Sequence, residues 1–286
     1  MRFVENLPLA QFYHINYDDE IPYNGMGGMQ DNGGWMGPSQ LLKQGGIRNS
    51  YWERIVGGDG FDIVPDPLDP RYGYSLSQGG NIRRYDRETG EMDGIKPEHP
   101  DGEEIRFNWN AGVNVDPFDK KTVYIGAQYL FKSGDHGKNW EIISPDLTTN
   151  DPEKQKQYET GGLNYDNSGA EKHTTITVVE PSTKAQGMIW VGTDDGNVQL
   201  TRDGGASWTN SAGKFSGLPD ASWVQQIRAS TYDAGTAFVI FDEHRRDDWF
   251  PYVYRTTNYG RTWKRIVEEG DVFGFALSIV QDPVEP

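Results

Sequence analysis

Thr201-Arg-Asp203-Gly-Gly205-Ala-Ser-Trp208 decides the fold, because the chain repeats its pattern twice more. The other copies are Ser133-Gly-Asp135-His-Gly137-Lys-Asn-Trp140 and Thr256-Thr-Asn258-Tyr-Gly260-Arg-Thr-Trp263. All three obey [S/T]-x-[D/N]-x-G-x-x-W. Gly supplies the positive φ of a tight turn, and the short Asp or Asn side chain bonds back to the turn's own amides. The Trp is then expected as the first inward residue of the returning strand, largely buried between neighbouring sheets. Asp135, Asp203 and Asn258 read as turn-makers, and Trp140, Trp208 and Trp263 as packing residues.

A second repeated element precedes these turns. An apolar strand runs into a Pro-containing turn at Asp66-Pro67, Asp116-Pro117, Glu180-Pro181 and Asp282-Pro283, and a further strand follows the first three. The spacings are 50, 64 and 102 residues, the last covering two repeats. Four strands in about 50 residues is the requirement of a propeller blade. The expected fold is therefore all-β, a β-propeller of four-stranded antiparallel blades. Blades are expected at 11–56, 61–96, 108–144, 173–210 and 223–267, with the start of a sixth from 272. The stretch 145–172 is polar, lacks periodicity, and reads as a long surface loop. All of 1–286 is then one propeller region, expected to be a fragment of a longer chain with about seven blades. The competing expectation is a six-bladed ring closed by residues 1–10.

Composition narrows the function. Gly is unusually frequent at 35 of 286 residues, and nine Trp accompany it, which a disordered chain would lack. The longest apolar stretch, around 273–280, is far short of the ~18 residues that span a membrane, so no membrane insertion is expected. A net charge of −16 repels nucleic acid, whose binders carry basic patches. The absence of Cys excludes disulfides, thiol nucleophiles and zinc–thiolate centres. No apolar leader is visible in Met1-Arg2-Phe3-Val4-Glu5-Asn6.

The repeated turns resemble Asp-boxes, also called BNR repeats, as found in sialidases, xyloglucanase-type glycoside hydrolases, the sortilin receptor propeller and photosystem assembly propellers. Three connecting phrases, Gly27-Gly-Met-Gln-Asp-Asn-Gly-Gly-Trp35, Arg106-Phe-Asn-Trp-Asn-Ala-Gly112 and Trp190-Val-Gly-Thr-Asp-Asp-Gly-Asn-Val198, resemble large bacterial sortilin-like proteins, often labelled "glycosyl hydrolase". The resemblance covers essentially the whole chain. It implies an extracytoplasmic setting (periplasmic or secreted) and a propeller that binds a peptide, protein or glycan in its axial funnel. It implies equally a glycoside hydrolase with paired Asp carboxylates, or an assembly subunit packed against the rest of a longer chain or a neighbouring subunit. Fold is implied more firmly than chemistry.

Strand parity locates a site. The repeated turns join third to fourth strands and belong to one face, while turns joining second to third strands belong to the other. That second face is expected to gather Asp31, Asp194, Asp195 and Asp242 as candidate catalytic carboxylates. Asp59, Asn108, Trp109, His173, Trp223, Glu243 and Arg245 are candidate binding residues. Carboxylates interleaved with Trp, Asn and His suit a carbohydrate cleft; the alternative is that buried Asp and Gln simply tie strands together. A sialidase's Arg-Ile-Pro motif is absent, as are a Gly-x-Ser-x-Gly elbow, a His-Glu-x-x-His zinc pair and an EF-hand loop. No cofactor or metal is expected, although Asp side chains and loop carbonyls could hold calcium.

Overall fold

The computed structural model describes residues 10–156, 159 and 172–285. Residues 1–9 of the proposed closing segment, and half of the 145–172 loop, lie outside them. The chain is all-β, with five four-stranded antiparallel sheets, each in the sequential order of a propeller blade. It falls into two compact units, residues 1–95 and 96–286. Among the described residues, no helix is long and apolar enough to cross a membrane.

The first unit holds two sheets. One comprises β1 (Ile15–Tyr17), β2 (Asn24–Met29), β3 (Gly33–Pro38) and β4 (Glu53–Val56). The other comprises β5 (Gly60–Pro65), β6 (Tyr72–Ser77), β7 (Asn81–Asp86) and β8 (Met92–Gly94). Met26, Met36, Ile55, Ile63 and Tyr85 form the core between them. β1 is tied to β5 by Asn16, whose Nδ2 donates to the Ile63 carbonyl at 2.9 Å.

The second unit holds three sheets. β9 (Val113–Val115), β10 (Val123–Gly126), β11 (Leu130–Ser133) and β12 (Glu141–Ile142) form the first. β13 (Ile176–Pro181), β14 (Ile189–Thr193), β15 (Val198–Thr201) and β16 (Thr209–Asn210) form the second. β17 (Trp223–Ala229), β18 (Ala237–Asp242), β19 (Tyr252–Thr256) and β20 (Lys264–Arg265) form the third. β14 and β18 are buried along their whole length, so they read as unbroken apolar runs rather than alternating ones.

The repeated turns share one hydrogen-bond scheme. Ser133, Thr201 and Thr256 each accept the N–H of the turn glycine, at 2.8, 2.9 and 3.0 Å. Asp135, Asp203 and Asn258 each accept the amide four residues on, at 2.9, 2.9 and 3.0 Å. Two residues in succession are left-handed in every copy: His136 and Gly137, Gly204 and Gly205, Tyr259 and Gly260. In two of the copies a side chain at the second of these would also collide. A Cβ on Gly205 would lie 2.2 Å from the Ile143 carbonyl oxygen, and one on Gly260 2.8 Å from Ser211 Oγ.

The three Trp side chains that follow are not equally buried. Trp263 is 8% exposed and packs edge-on against Trp190 of the preceding sheet, with ring centroids 5.7 Å apart. Phe215 stands 5.1 Å from its ring. Trp208 also reaches the preceding sheet, donating from Nε1 to the Ile143 carbonyl at 3.3 Å, yet it remains half-buried, as does Trp140. The expectation of three buried Trp holds for one, Trp263, which Trp190 and Phe215 cover.

First strands of neighbouring sheets in this unit are laced by side chains. Asn114 Nδ2 donates to the Val179 carbonyl at 3.0 Å, and Glu180 Oε1 accepts the Ala229 N–H at 3.1 Å. The same device extends past β20: Gln226 Oε1 accepts the Ile279 N–H at 2.7 Å. First strands also end alike, with Asp116, Ser182, Ser230 and Asp282 each accepting the amide two residues on. Residues 275–282 thus lie along β17 as a first strand would, although they form no strand ladder.

Candidate functional site

The order of strands puts two chemistries at opposite ends of β15. Asp194 and Asp195 precede it in the β14–β15 turn, while Asp203 follows it in the repeated turn. The first end is polar and buried. Asp194 is 1% exposed; its Oδ1 accepts the Thr175 N–H at 2.9 Å, and its Oδ2 accepts Thr175 Oγ1 at 2.6 Å and Asn108 Nδ2 at 3.2 Å. The carboxylate therefore clamps the entry of β13 and the connection before β9. Asp195 faces the other way. It accepts Thr193 Oγ1 at 2.5 Å on one oxygen, and on the other the Thr149 N–H and Oγ1 at 2.8 and 2.6 Å. It fastens the start of the long connection after β12.

His173 joins this cluster, with Nδ1 3.8 Å from Asp194 Oδ1 and no hydrogen-bond partner among the described residues. Its neighbour Thr174 holds φ at 58°, an unusual value for a β-branched residue. Burial, aided by the Asp195 charge, pushes the Asp194 carboxyl up to about 8. Burial, aided by Lys154, pushes His173 down to about 4. Burial thus favours the neutral form of each group, while the donors on Asp194 oppose it.

Trp223, Asp242, Glu243 and Arg245 meet at the adjoining end of the β17–β18 pair, where Trp223 is the cross-strand partner of Asp242. The Arg245 guanidinium lies 4.3 Å from the Trp223 ring centroid. Arg246 pairs with buried Glu243 and donates to the Asp220 carbonyl at 3.0 Å. Asp242 accepts the His244 N–H at 3.1 Å and meets His244 Nδ1 at 2.6 Å. That orients the imidazole, whose ring stacks on Phe275 with centroids 4.7 Å apart. Trp249 completes the group, 5.4 Å from Phe275.

Asp31 and Asp59 belong to the first unit. Asp31 sits exposed at the β2–β3 turn with φ of 61°, and its N–H donates to Asp59 Oδ1 at 2.7 Å. The Asp59 N–H in turn donates to Gln78 Oε1 at 3.3 Å. Gln128 does the equivalent in the second unit, accepting the Arg106 N–H at 2.7 Å. Trp109 is half-buried in the connection before β9.

The structure therefore brings together Asn108, His173, Asp194 and Asp195 in one cluster, and Trp223, Asp242, Glu243 and Arg245 in another. Arg245 and Asp195 are both close enough to act on the His173 charge. Sequence reasoning missed Trp249 and Phe275. The signal for Trp249 was present in Arg245-Arg246-Asp247-Asp248-Trp249, a charged run ending on a large aromatic. Among the described residues no group of three or more His, Asp or Glu could hold a metal ion.

No protein-family model and no curated protein matches the chain. Among solved structures it is similar to a GH74 xyloglucanase from Xanthomonas campestris, at 14% identity and a TM-score of 0.43. The match covers 85% of this chain and 43% of that one, so the chain spans less than half of that protein's length. The likeness concerns chain path, and the chemistry rests on the residues above.

Proposed function

We propose that this chain is an extracytoplasmic Asp-box propeller of sortilin-like type, one that binds a peptide, protein or glycan and does not hydrolyse it. One observation carries the reading. Asp194, Asp195 and Asp242, three of the four candidate carboxylates, accept hydrogen bonds from within the fold, the first two from the distant Thr175 and Thr149 and the third from its own loop. A glycoside hydrolase needs two carboxyl groups facing the sugar, one to donate a proton and one to attack or to activate water. Asp31 is exposed, but it is a single group.

The hydrolase reading keeps one point in its favour, since a carboxyl raised to about 8 is protonated at neutral pH, as a general acid must be. Burial of Asp194 beneath Thr175 and Asn108 keeps it from a glycosidic oxygen. The remainder of a longer chain, or a neighbouring subunit, is the proposed structural partner.

A glycan array run beside an activity screen on soluble polysaccharides tests the reading. The expected result is binding without release of reducing ends. Turnover by the wild type, lost in Asp31→Asn or Asp242→Asn, would overturn it.

A further inference from the structure

The loop after β18 carries a feature that the binding reading does not use. Trp249 is the one exposed Trp of the nine, at 54%. Its ring is not loose, because Nε1 donates to Asp247 Oδ1 at 3.0 Å and Phe275 backs it edge-to-face. His244 stacks on the same Phe275 and is itself held by Asp242. A fixed aromatic surface is thus presented to solvent beside a carboxylate. An indole face held rigidly beside a carboxylate is a ready seat for a cation.

The rest of the chain indicates what such a surface takes. Among the described residues eight aromatic–cation pairs occur, including Arg202 over Tyr259 at 4.0 Å, Arg84 over Tyr72 at 4.2 Å and Arg245 over Trp223 at 4.3 Å. Trp has the strongest π face for a cation, yet none of the described cations lies over Trp249. Neither Arg of its own loop is committed to it: Arg245 covers Trp223, and Arg246 is engaged by Glu243 and Asp220. The charges around the ring point the same way, with Asp247 bonded to the indole, Asp248 one residue on, and a net −16 over the chain. An acidic protein attracts basic partners and repels acidic ones.

We propose that Trp249, with Asp247 at its edge and Phe275 behind it, seats a guanidinium or ammonium side chain from a basic segment of a partner protein. The cation lies over the indole face while its N–H groups reach the Asp247 carboxylate. This rests on the binding reading and names its ligand class as a basic peptide.

The test uses a fluorescein-labelled peptide bearing two arginines and its citrulline counterpart, with fluorescence anisotropy at 0.15 M salt. Trp249→Leu keeps the charge and an apolar side chain but removes the π face. The expected result is that wild type binds the arginine peptide, that Trp249→Leu binds it roughly three- to fivefold more weakly, as for one exposed cation–π contact, and that the citrulline peptide is not bound. The indole N–H resonance of Trp249, assigned by its loss in the variant, should shift with the arginine peptide. Equal binding by wild type and Trp249→Leu would overturn the proposal, leaving only net-charge attraction. Equal binding of the citrulline peptide, or none of the arginine peptide at millimolar concentration, would also overturn it. A Trp249 shift with cellotetraose and not with the arginine peptide would sink the cation seat while sparing the binding reading. Cleavage of the tetrasaccharide would sink the binding reading instead.

Discussion

The two ends of the sheets in residues 96–286 follow opposite rules. At one end the same turn is built three times, with Ser or Thr bonding a glycine amide and Asp or Asn bonding the amide four residues on. At the other end every sheet differs: Gln128 in the first, Asp194 and Asp195 in the second, and a long charged loop from Asp242 to Trp249 in the third. Repetition marks the rule by which these three sheets join third strand to fourth. Divergence marks the end where no shared turn rule dictates the loops. Among the divergent residues a second division appears, between carboxylates bonded inward and an aromatic group turned outward.

The largest expected effect lies in the aromatic packing behind the repeated end. Trp263 fills the space between Trp190 and Phe215, with Tyr254 beyond Phe215 at 5.3 Å. Trp263→Ala should lower stability by about 3–5 kcal/mol, the range for emptying a buried aromatic site. Trp208→Ala, at a half-buried copy of the same position, should cost about half as much. Urea unfolding of both variants checks this. Equal losses would mean that the turn, and not the packing behind it, sets the value of the Trp.

Such a contrast was invisible in the sequence, where the three copies look alike. The turns themselves were legible, because a left-handed residue against a backbone carbonyl admits only Gly, as at Gly205, and one short polar side chain can reach the required amides. The strand positions followed from the same spacing: β13–β16 span 176–210 and β17–β20 span 223–265, against expected blades at 173–210 and 223–267. The role of Asp194 was harder to see. Its partners Thr175 and Asn108 lie 19 and 86 residues away, and a carboxylate reads the same in sequence whether it clamps a strand or faces a substrate. The burial that decides between those roles belongs to the assembled sheets.

A smaller effect separates the buried polar cluster from the exposed loop by pH. Asp194 is raised from 3.8 to about 8 and Glu180 from 4.5 to about 7, both mainly by burial, while His173 is lowered from 6.5 to about 4. Between their ordinary and folded values the two carboxyls keep a proton that the unfolded chain has lost, so their contribution falls as pH rises through that window. His173 works in the opposite sense. Its contribution is complete above 6.5 and is lost as pH falls toward 4. The two tendencies oppose each other between pH 4 and 6.5. From 6.5 to 8 the carboxyls act alone, and stability should fall by up to about 2 kcal/mol for one such group. Asp194→Asn should flatten that slope, and His173→Gln should leave it while removing the acid-side loss. Urea midpoints taken every half pH unit would show it. An unchanged slope in Asp194→Asn would place the titration elsewhere.

The smallest expected effect is also the sharpest use of the comparison. Trp249→Ala removes a side chain as large as that of Trp263, from the same sheet, and should change stability by no more than about 0.5 kcal/mol, as surface substitutions usually do. The reason is geometric. Trp249 covers Phe275 at an edge, and its indole N–H bonds to Asp247, a group that water can serve equally well. No strand depends on it, since the loop is held by Asp248, which accepts the Phe250 N–H at 3.0 Å and the Tyr252 hydroxyl at 2.8 Å. A large aromatic left exposed confers little folding stability, so the effect of its loss belongs in binding and not in unfolding. Urea unfolding of Trp249→Ala beside Trp263→Ala measures the contrast directly. A loss above 2 kcal/mol in Trp249→Ala would show that the ring supports the loop, and the exposed aromatic surface would then belong with the clamps.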